Sequence, residues 1–294
     1  MGSRAHVIVT DGSTADLDFA ERRIEQLEAR WSRFREHSEI NALNRAGGAP
    51  VVVSRDTVQL LQRCVRGWRR TNGAFDPSVH DALVANGYDR DFSQIKSESP
   101  PCTRAVRPAP GLGGTVVDVE HRVVSLRPGV HVDPGGIGKG FAADLVCAEL
   151  RARGRAGACV SLGGDVRVSG RAPDGNEWSI SIEDPFDESH ELARVALTDA
   201  AVATSSRLRR VWSQGDERIH HVIDPRTGRP ADVRTAAVTV IARSGWWAEV
   251  TATNCLLADD PLHSAGAASV VAIDEDHAVH ATPDLDEVRS WSAR

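Results

Sequence analysis

Three stretches of this 294-residue chain carry side chains whose types and spacing suit chemistry. The first is Val132-Asp133-Pro134-Gly135-Gly136-Ile137-Gly138-Lys139-Gly140, which opens directly onto the helical stretch Phe141-Ala142-Ala143-Asp144-Leu145. Glycines let a backbone approach a ligand closely, and the first N–H groups of a helix favour an anion, so a pyrophosphate fits such a junction. Both common nucleotide fingerprints fail: Gly140 stands where a Walker motif needs Ser or Thr, and the spacing G-x-G-x-x-G is absent. A tight strand-to-helix turn that needs glycine only for positive φ and close packing accounts for the same residues. The second stretch holds Glu249 and Thr253, four apart in a segment read as helical, so that their oxygens leave one face. An oxygen pair of this kind suits magnesium, which keeps waters and needs few protein ligands; it equally suits a solvated face or a local hydrogen bond. The third is His220-His221-Val222-Ile223-Asp224-Pro225-Arg226-Thr227-Gly228, an imidazole beside an Asp-Pro turn. Imidazole exchanges protons near neutral pH, although Asp-Pro and Thr-Gly are also ordinary turn chemistry.

The elements around these residues set where they can stand. His6 to Thr10 alternates as a short strand, and Leu17, Ala20, Ile24, Leu27, Trp31 and Phe34 follow at helical spacing from Thr14 onward. Ser38 and Ser54 each read as the N-cap of a helix, the first running to Leu43 before Gly47-Gly48 and the second ending at Gly73. Residues 91–114, with Pro100-Pro101 and two further prolines, read as an irregular insertion. From Val116 the texture turns to short β-rich runs separated by glycines. Lys139 to Arg153 is one helix and Trp246 to Leu257 another; Ala158 to Asp165 reads as a strand with a glycine turn at its end, and further strands are expected at Trp178 to Ile182, Ala193 to Leu197, Val211, Ile219 to Ile223 and Val238 to Ile241. Ser269 to Ile273 and His277 to Ala281 should pair as a hairpin.

Bulk properties narrow the partners. A net charge of −6 and 41% hydrophobic residues describe a globular chain without the basic excess that generic nucleic-acid binding requires. No apolar run is long enough to span a bilayer, and the start, Met-Gly-Ser-Arg-Ala-His, lacks the apolar region of a signal peptide, so a cytoplasmic location is expected. The five cysteines are scattered and read as buried free thiols.

Taken in order, these blocks resemble the ApbE family. Asp133-Pro134-Gly135-Gly136-Ile137-Gly138-Lys139-Gly140 followed by Ser161-Leu162-Gly163-Gly164-Asp165 is similar to its central signature. Met1-Gly2-Ser3 resembles its opening, and Ser32-Arg33-Phe34, Ser38-Glu39-Ile40-Asn41-Ala42-Leu43-Asn44 and Gly73-Ala74-Phe75-Asp76-Pro77-Ser78-Val79 its next blocks. Ala203-Thr204-Ser205, His221 to Pro230, and Ala248-Glu249 with Thr253 continue the likeness, which runs from Met1 to about Leu257.

The resemblance implies a mixed α/β (α+β) fold, a single domain over residues 1–294 with mixed sheets and flanking helices, and FAD:protein FMN transferase activity. It implies FAD as substrate, contacted by Met1, Phe34, Ala74, Phe75, Asp76, Asp133, Gly135, Lys139, Thr204, Ser205 and Ile223, with Lys139 offsetting phosphate charge. Mg2+ would be held by Glu249, Thr253 and the carbonyl of Gly136, while His221 and Asp224 would act in the chemistry. The other partner would be an acceptor protein, whose threonine hydroxyl receives FMN as AMP leaves. Glu249 stands where the family usually has Asp, and Ser206 where it commonly has Gly. An FAD pyrophosphatase and a non-enzymatic flavin-binding protein are the alternatives. Members of this family are often exported.

Overall fold

The computed structural model describes residues 4–95, 98–99, 105–187, 189–215 and 217–285. The chain forms two compact units interleaved in sequence. The first comprises Met1–Gly2, Gln26–Gly138 and Arg209–Asp232; the second comprises Ser3–Glu25, Lys139–Leu208 and Val233–Arg294. The six helices among the described residues are α1 (Thr14–Trp31), α2 (Glu39–Arg45), α3 (Arg55–Arg70), α4 (His80–Ala85), α5 (Gly138–Ala152) and α6 (Gly245–Leu256). None is long and apolar enough to cross a membrane.

The second unit is built on a seven-stranded antiparallel sheet. Its spatial order is Ala5–Thr10, Gly157–Leu162, Asp165–Gly170, Ala201–Ser206, Thr235–Ala242, Ser269–Asp274 and Val279–Ala281. Thr235 to Val240 is buried at every position, as expected of a strand covered on both faces, and α6 packs on it and on Ala201–Ser206. α5 lies on the preceding pair of strands, where Cys147 Sγ meets the carbonyls of Ala158 and Arg167. A separate hairpin, Trp178–Glu183 with Glu191–Leu197, contributes Ile182, Ala193 and Val195 to a side cluster with Val271 and Ala281. The expected closing hairpin is present, Ser269–Asp274 pairing with Val279–Ala281.

In the first unit, Ser38 and Ser54 do cap α2 and α3, each hydroxyl accepting the N–H of the third residue on, Asn41 or Thr57. Two small three-stranded sheets accompany these helices. One runs Glu217–His220, Val211–Gln214, Glu98–Ser99, and the other Val51–Val52, Val123–Ser125, Val116–Asp118. Ala82, Leu83, Tyr88, Trp212, Ile219 and Ile223 make a compact core, with Phe34 against it.

Several local expectations change. α1 stops at Trp31, and Phe34 sits beyond it in a turn where its N–H bonds Ser32 Oγ. The strand expected through Ile223 ends at His220; Val222 and Ile223 instead close a loop, with Ala231 N–H on the Val222 carbonyl and a single bridge from Ile223 to Pro230. Of the insertion, Phe92–Gln94 forms a 3-10 turn, and the far end is tied down by Ala109 N–H on the Pro225 carbonyl and Gly111 N–H on Ser78 Oγ. Cys64, Cys147, Cys159 and Cys255 are buried free thiols, while Cys102 lies outside the described residues.

Candidate active site

No strand leads into the glycine-rich turn. The backbone of Val132 is paired by a side chain: Asn44 Oδ1 accepts its N–H at 2.8 Å and Asn44 Nδ2 donates to its carbonyl at 2.9 Å. One amide group thus does what a neighbouring strand would do. The next residue, Asp133, donates its N–H to the Pro77 carbonyl at 2.8 Å, and Gly138 N–H reaches the Pro134 carbonyl at 2.7 Å as α5 begins. The turn is therefore pinned at its entry, and Asp133 accepts the Gly135 N–H at 2.8 Å within it.

Within the first unit, Asp133 meets Arg33, Nε to Oδ2 2.7 Å, with the two side chains only 4% and 11% exposed. The Arg33 guanidinium lies 4.2 Å from the Phe34 ring centroid and 4.5 Å from that of Tyr88, and it donates to the Tyr88 carbonyl at 2.7 Å. Phe34, Tyr88 and Trp212 succeed one another at 5.7 Å between centroids, and Ile223 shares their core. Phe34, Asp133 and Ile223 are thus gathered around Arg33 and Tyr88. Burial raises the Tyr88 phenol above its ordinary pKa. Phe75 is buried, Ala74 half-buried, and Asp76 accepts the N–H and hydroxyl of Ser78 at 2.8 and 2.7 Å, capping Pro77–Val79. Burial pushes the Asp76 carboxyl up against those bonds.

His221 Nδ1 lies 3.0 Å from the Arg209 carbonyl. A carbonyl only accepts, so Nδ1 carries the proton and, in the neutral ring, Nε2 is the basic nitrogen. The Asp224 carboxylate turns to Arg226, accepting its backbone N–H at 2.9 Å and its guanidinium at 3.0 and 3.1 Å.

In the second unit, α5 and α6 cross at Gly140 and Gly245, with backbones so close that a Cβ on Gly140 would stand 2.3 Å from the Gly245 carbonyl oxygen. Ser244, at the N-cap of α6, makes no side-chain cap bond. Asp144 of α5 replaces it, accepting the N–H groups of Gly245 and Trp246 at 2.7 and 3.0 Å. The crossing presents Glu249, 4% exposed, to the start of α5: Oε2 accepts the Gly140 N–H at 2.6 Å and Oε1 the Lys139 ammonium. Lys139 also binds Asp165, itself 5% exposed, whose other oxygen accepts the Thr204 N–H at 3.2 Å. Ser205 Oγ and Thr253 Oγ1 are 3.3 Å apart. Lys139, Thr204 and Glu249 are therefore brought together around Asp165, and Ser205 pairs with Thr253, four residues along α6 from Glu249.

The electrostatics of this cluster are lopsided: two buried carboxylates share one ammonium. Burial, with the nearby Asp165 charge adding to it, drives the Glu249 carboxyl above the ordinary carboxylate range against the pull of Lys139. Burial would lower Lys139, but Asp165 and Glu249 outweigh it and keep the amine protonated. Lys139 thus serves an internal pair of carboxylates, beyond the phosphate role the sequence suggests. Gly135 and Gly136 lie in the first unit's part of the turn, Met1 lies outside the described residues, and Glu249 and Thr253 belong to the second unit.

Sequence reasoning passed over Arg33, Asn44, Tyr88, Asp144 and Asp165 as site residues. Arg33, Asn44 and Asp165 stand inside the motif blocks, which was the available signal; Tyr88 and Asp144 carried none.

Comparison with known proteins bears on the same blocks. A sequence model of the ApbE family matches residues 1–269. An FAD:protein FMN transferase from Treponema pallidum is 32% identical over 250 residues, spanning 80% of this chain and 68% of that protein. The FAD:protein FMN transferase from Vibrio cholerae is 28% identical over 251 residues, 85% of this chain and 75% of its own. Among solved structures, the flavin transferase ApbE from Vibrio cholerae superposes with a TM-score of 0.78 at 24% identity, covering 98% of this chain and 96% of that one. The ApbE protein from Thermotoga maritima gives 0.81 at 23% identity, over 98% and 99%. These structures share the mixed α/β architecture described above. With one family model spanning nearly the whole sequence, the chain belongs to the ApbE family.

Proposed function

We propose that the chain is a magnesium-dependent FAD:protein FMN transferase, moving FMN from FAD to a threonine hydroxyl of an acceptor protein with release of AMP. The observation that carries this reading is the buried Lys139–Asp165–Glu249 cluster at the crossing of α5 and α6, where the carboxylates outnumber the ammonium. Burying a second carboxylate is costly unless a proton or a cation meets it, so the carboxylate in excess at this cluster suits an added cation in place of the proton that burial favours there. The donors also fit magnesium, since Glu249 and Thr253 offer oxygens only. The longer carboxylate arm of Glu249, compared with the aspartate usual at this position, is used here in bonding the Gly140 N–H.

Bound there, magnesium would offset the pyrophosphate charge. The remaining work falls to the chain. The Gly135 to Gly140 turn, fixed at its entry by Asn44 and Pro77, brings the pyrophosphate to the start of α5, where the positive end of the helix dipole favours an anion. Asp133, oriented by Arg33, accepts a hydroxyl or amine of the ligand, and the Phe34 side supplies an aromatic wall. His221, its Nδ1 proton committed to the Arg209 carbonyl, takes the acceptor hydroxyl proton at Nε2 as that oxygen attacks the FMN-side phosphorus and the AMP oxygen departs. Asp224 holds Arg226 beside this loop.

The test is AMP release from FAD by purified protein with and without magnesium. Glu249→Ala should abolish the magnesium-dependent reaction and Glu249→Asp retain it. Full magnesium-dependent turnover by Glu249→Ala would remove Glu249 from the metal site.

A further inference from the structure

The first unit holds a second cluster that flavin transfer leaves unexplained. His80 and Asp81 stand in the first turn of α4, and His131 lies in the segment that enters the glycine-rich turn. Their ligating atoms all lie within 4.8 Å of one another. His80 Nδ1 is 2.9 Å from Asp81 Oδ1, and His131 Nδ1 is 2.9 and 2.8 Å from the two oxygens of the same carboxylate. The imidazole centroids are 5.8 Å apart.

We propose that His80, Asp81 and His131 form a binding site for a divalent transition metal of the zinc class. Two imidazoles and one carboxylate make three protein ligands with a fourth position left for water, a donor set that zinc accepts at bonds of about 2.0–2.2 Å. Hard cations prefer oxygen alone, so magnesium and calcium are poor occupants, in contrast to the all-oxygen pair Glu249 and Thr253. The site is held ready by contacts outside it. Asp133 N–H on the Pro77 carbonyl fixes the His131 segment against the start of the Pro77 to Ala85 stretch, and the Asn44 amide on Val132 ties the same segment to α2. With side chains 20%, 60% and 35% exposed, an ion can reach all three residues. On binding, the metal takes the place of the hydrogens shared with Asp81, and each neutral imidazole moves its proton from Nδ1 to Nε2, so no proton need be released from the rings. An occupied site ties the segment carrying Asp76 to the segment carrying Asp133, which stiffens the entry to the turn whether or not the chain transfers FMN.

The experiment uses tag-free, chelator-treated full-length protein in excess magnesium, titrated with zinc chloride against a chromophoric zinc indicator, with cobalt(II) absorption as a report of nitrogen ligation. The expected result is one equivalent of zinc on the wild type and on Glu249→Ala, and affinity reduced at least about tenfold in His131→Ala and in Asp81→Asn, with unchanged circular dichroism. Asp81 is exposed, so Asp81→Asn keeps the test intact if His131→Ala folds poorly. The proposal is overturned by a wild type that takes up no equivalent, by variants that bind zinc as the wild type does, or by uptake lost in Glu249→Ala alone.

Discussion

Replacing Gly140 by alanine should do far more damage than the same change at Gly138, although both glycines stand in the first turn of α5 and alanine is the better helix former by about 1 kcal/mol. A Cβ on Gly140 would stand 2.3 Å from the Gly245 carbonyl oxygen, 2.4 Å from its carbon and 2.9 Å from the Trp246 nitrogen, all backbone atoms that cannot swing away. α5 and α6 must then separate by about 1 Å, an overpacking that typically costs roughly 1–3 kcal/mol. Separation also stretches the buried 2.6 Å bond from Gly140 N–H to Glu249, of a charged kind that contributes roughly 1.5–3 kcal/mol. Set against the helix-propensity gain, the net loss is about 2–5 kcal/mol, a large part of the stability of an ordinary domain. At Gly138 the nearest atom to a new Cβ is Pro134 Cβ at 3.9 Å, ordinary contact, so Gly138→Ala should stay within about 1 kcal/mol of wild type. Urea unfolding followed by circular dichroism measures both. Equal stability of Gly140→Ala and wild type, or an equal loss in the two variants, would refute the backbone crossing as the feature that presents Glu249.

His221→Ala should bind FAD with near-normal affinity and release AMP about 10²-fold or more slowly at saturating FAD, read from a titration and a time course; weakened affinity with an unchanged saturated rate would make His221 a binding residue. Asn44→Ala should leave both backbone groups of Val132 without the side-chain partner and cost roughly 1–3 kcal/mol in urea unfolding, with weaker FAD binding by fluorescence titration. Asp16 closes the first turn of α1 by accepting the Ser13 N–H and meets Arg153 at 3.0 Å, contacts that lower its pKa from the ordinary 3.8 to about 2. Its stabilising effect is complete above the unfolded value and is lost as pH falls through the folded one, so the gap in stability between wild type and Asp16→Asn should be constant at neutral pH and close between about pH 3.8 and 2.

Local chemistry was the legible part of this sequence. Ser38 and Ser54 announce their helices because a serine before an apolar period has one favoured use, and Leu27 and Trp31 of α1 are buried as their spacing requires. The strand Ala201–Ser206 was hidden because Ala201, Val202 and Ala203 are all buried, which erases the alternation by which strands are recognised. Long-range pairing was hidden more deeply. Nothing near Val132 reveals that Asn44 stands in for a strand, and nothing near Glu249 reveals that Lys139 and Gly140 N–H already meet its two oxygens. The family resemblance named the expected site residues block by block, while the grouping of several of them into two clusters, one around Tyr88 and one around Asp165, required the fold.

The central claim, transfer of FMN to a protein threonine, is tested most directly by one reaction followed for both products. Purified protein, magnesium and FAD are combined with a desalted extract of the native organism as the source of acceptor; AMP and free FMN are quantified by chromatography, and tryptic peptides are searched by mass spectrometry for FMN on threonine. The expected result is magnesium-dependent AMP matched by FMN bound to threonine peptides, both absent with Glu249→Ala. AMP matched wholly by free FMN would make the protein a pyrophosphatase, and no AMP at all would make it a flavin-binding protein; either would contradict the transferase assignment.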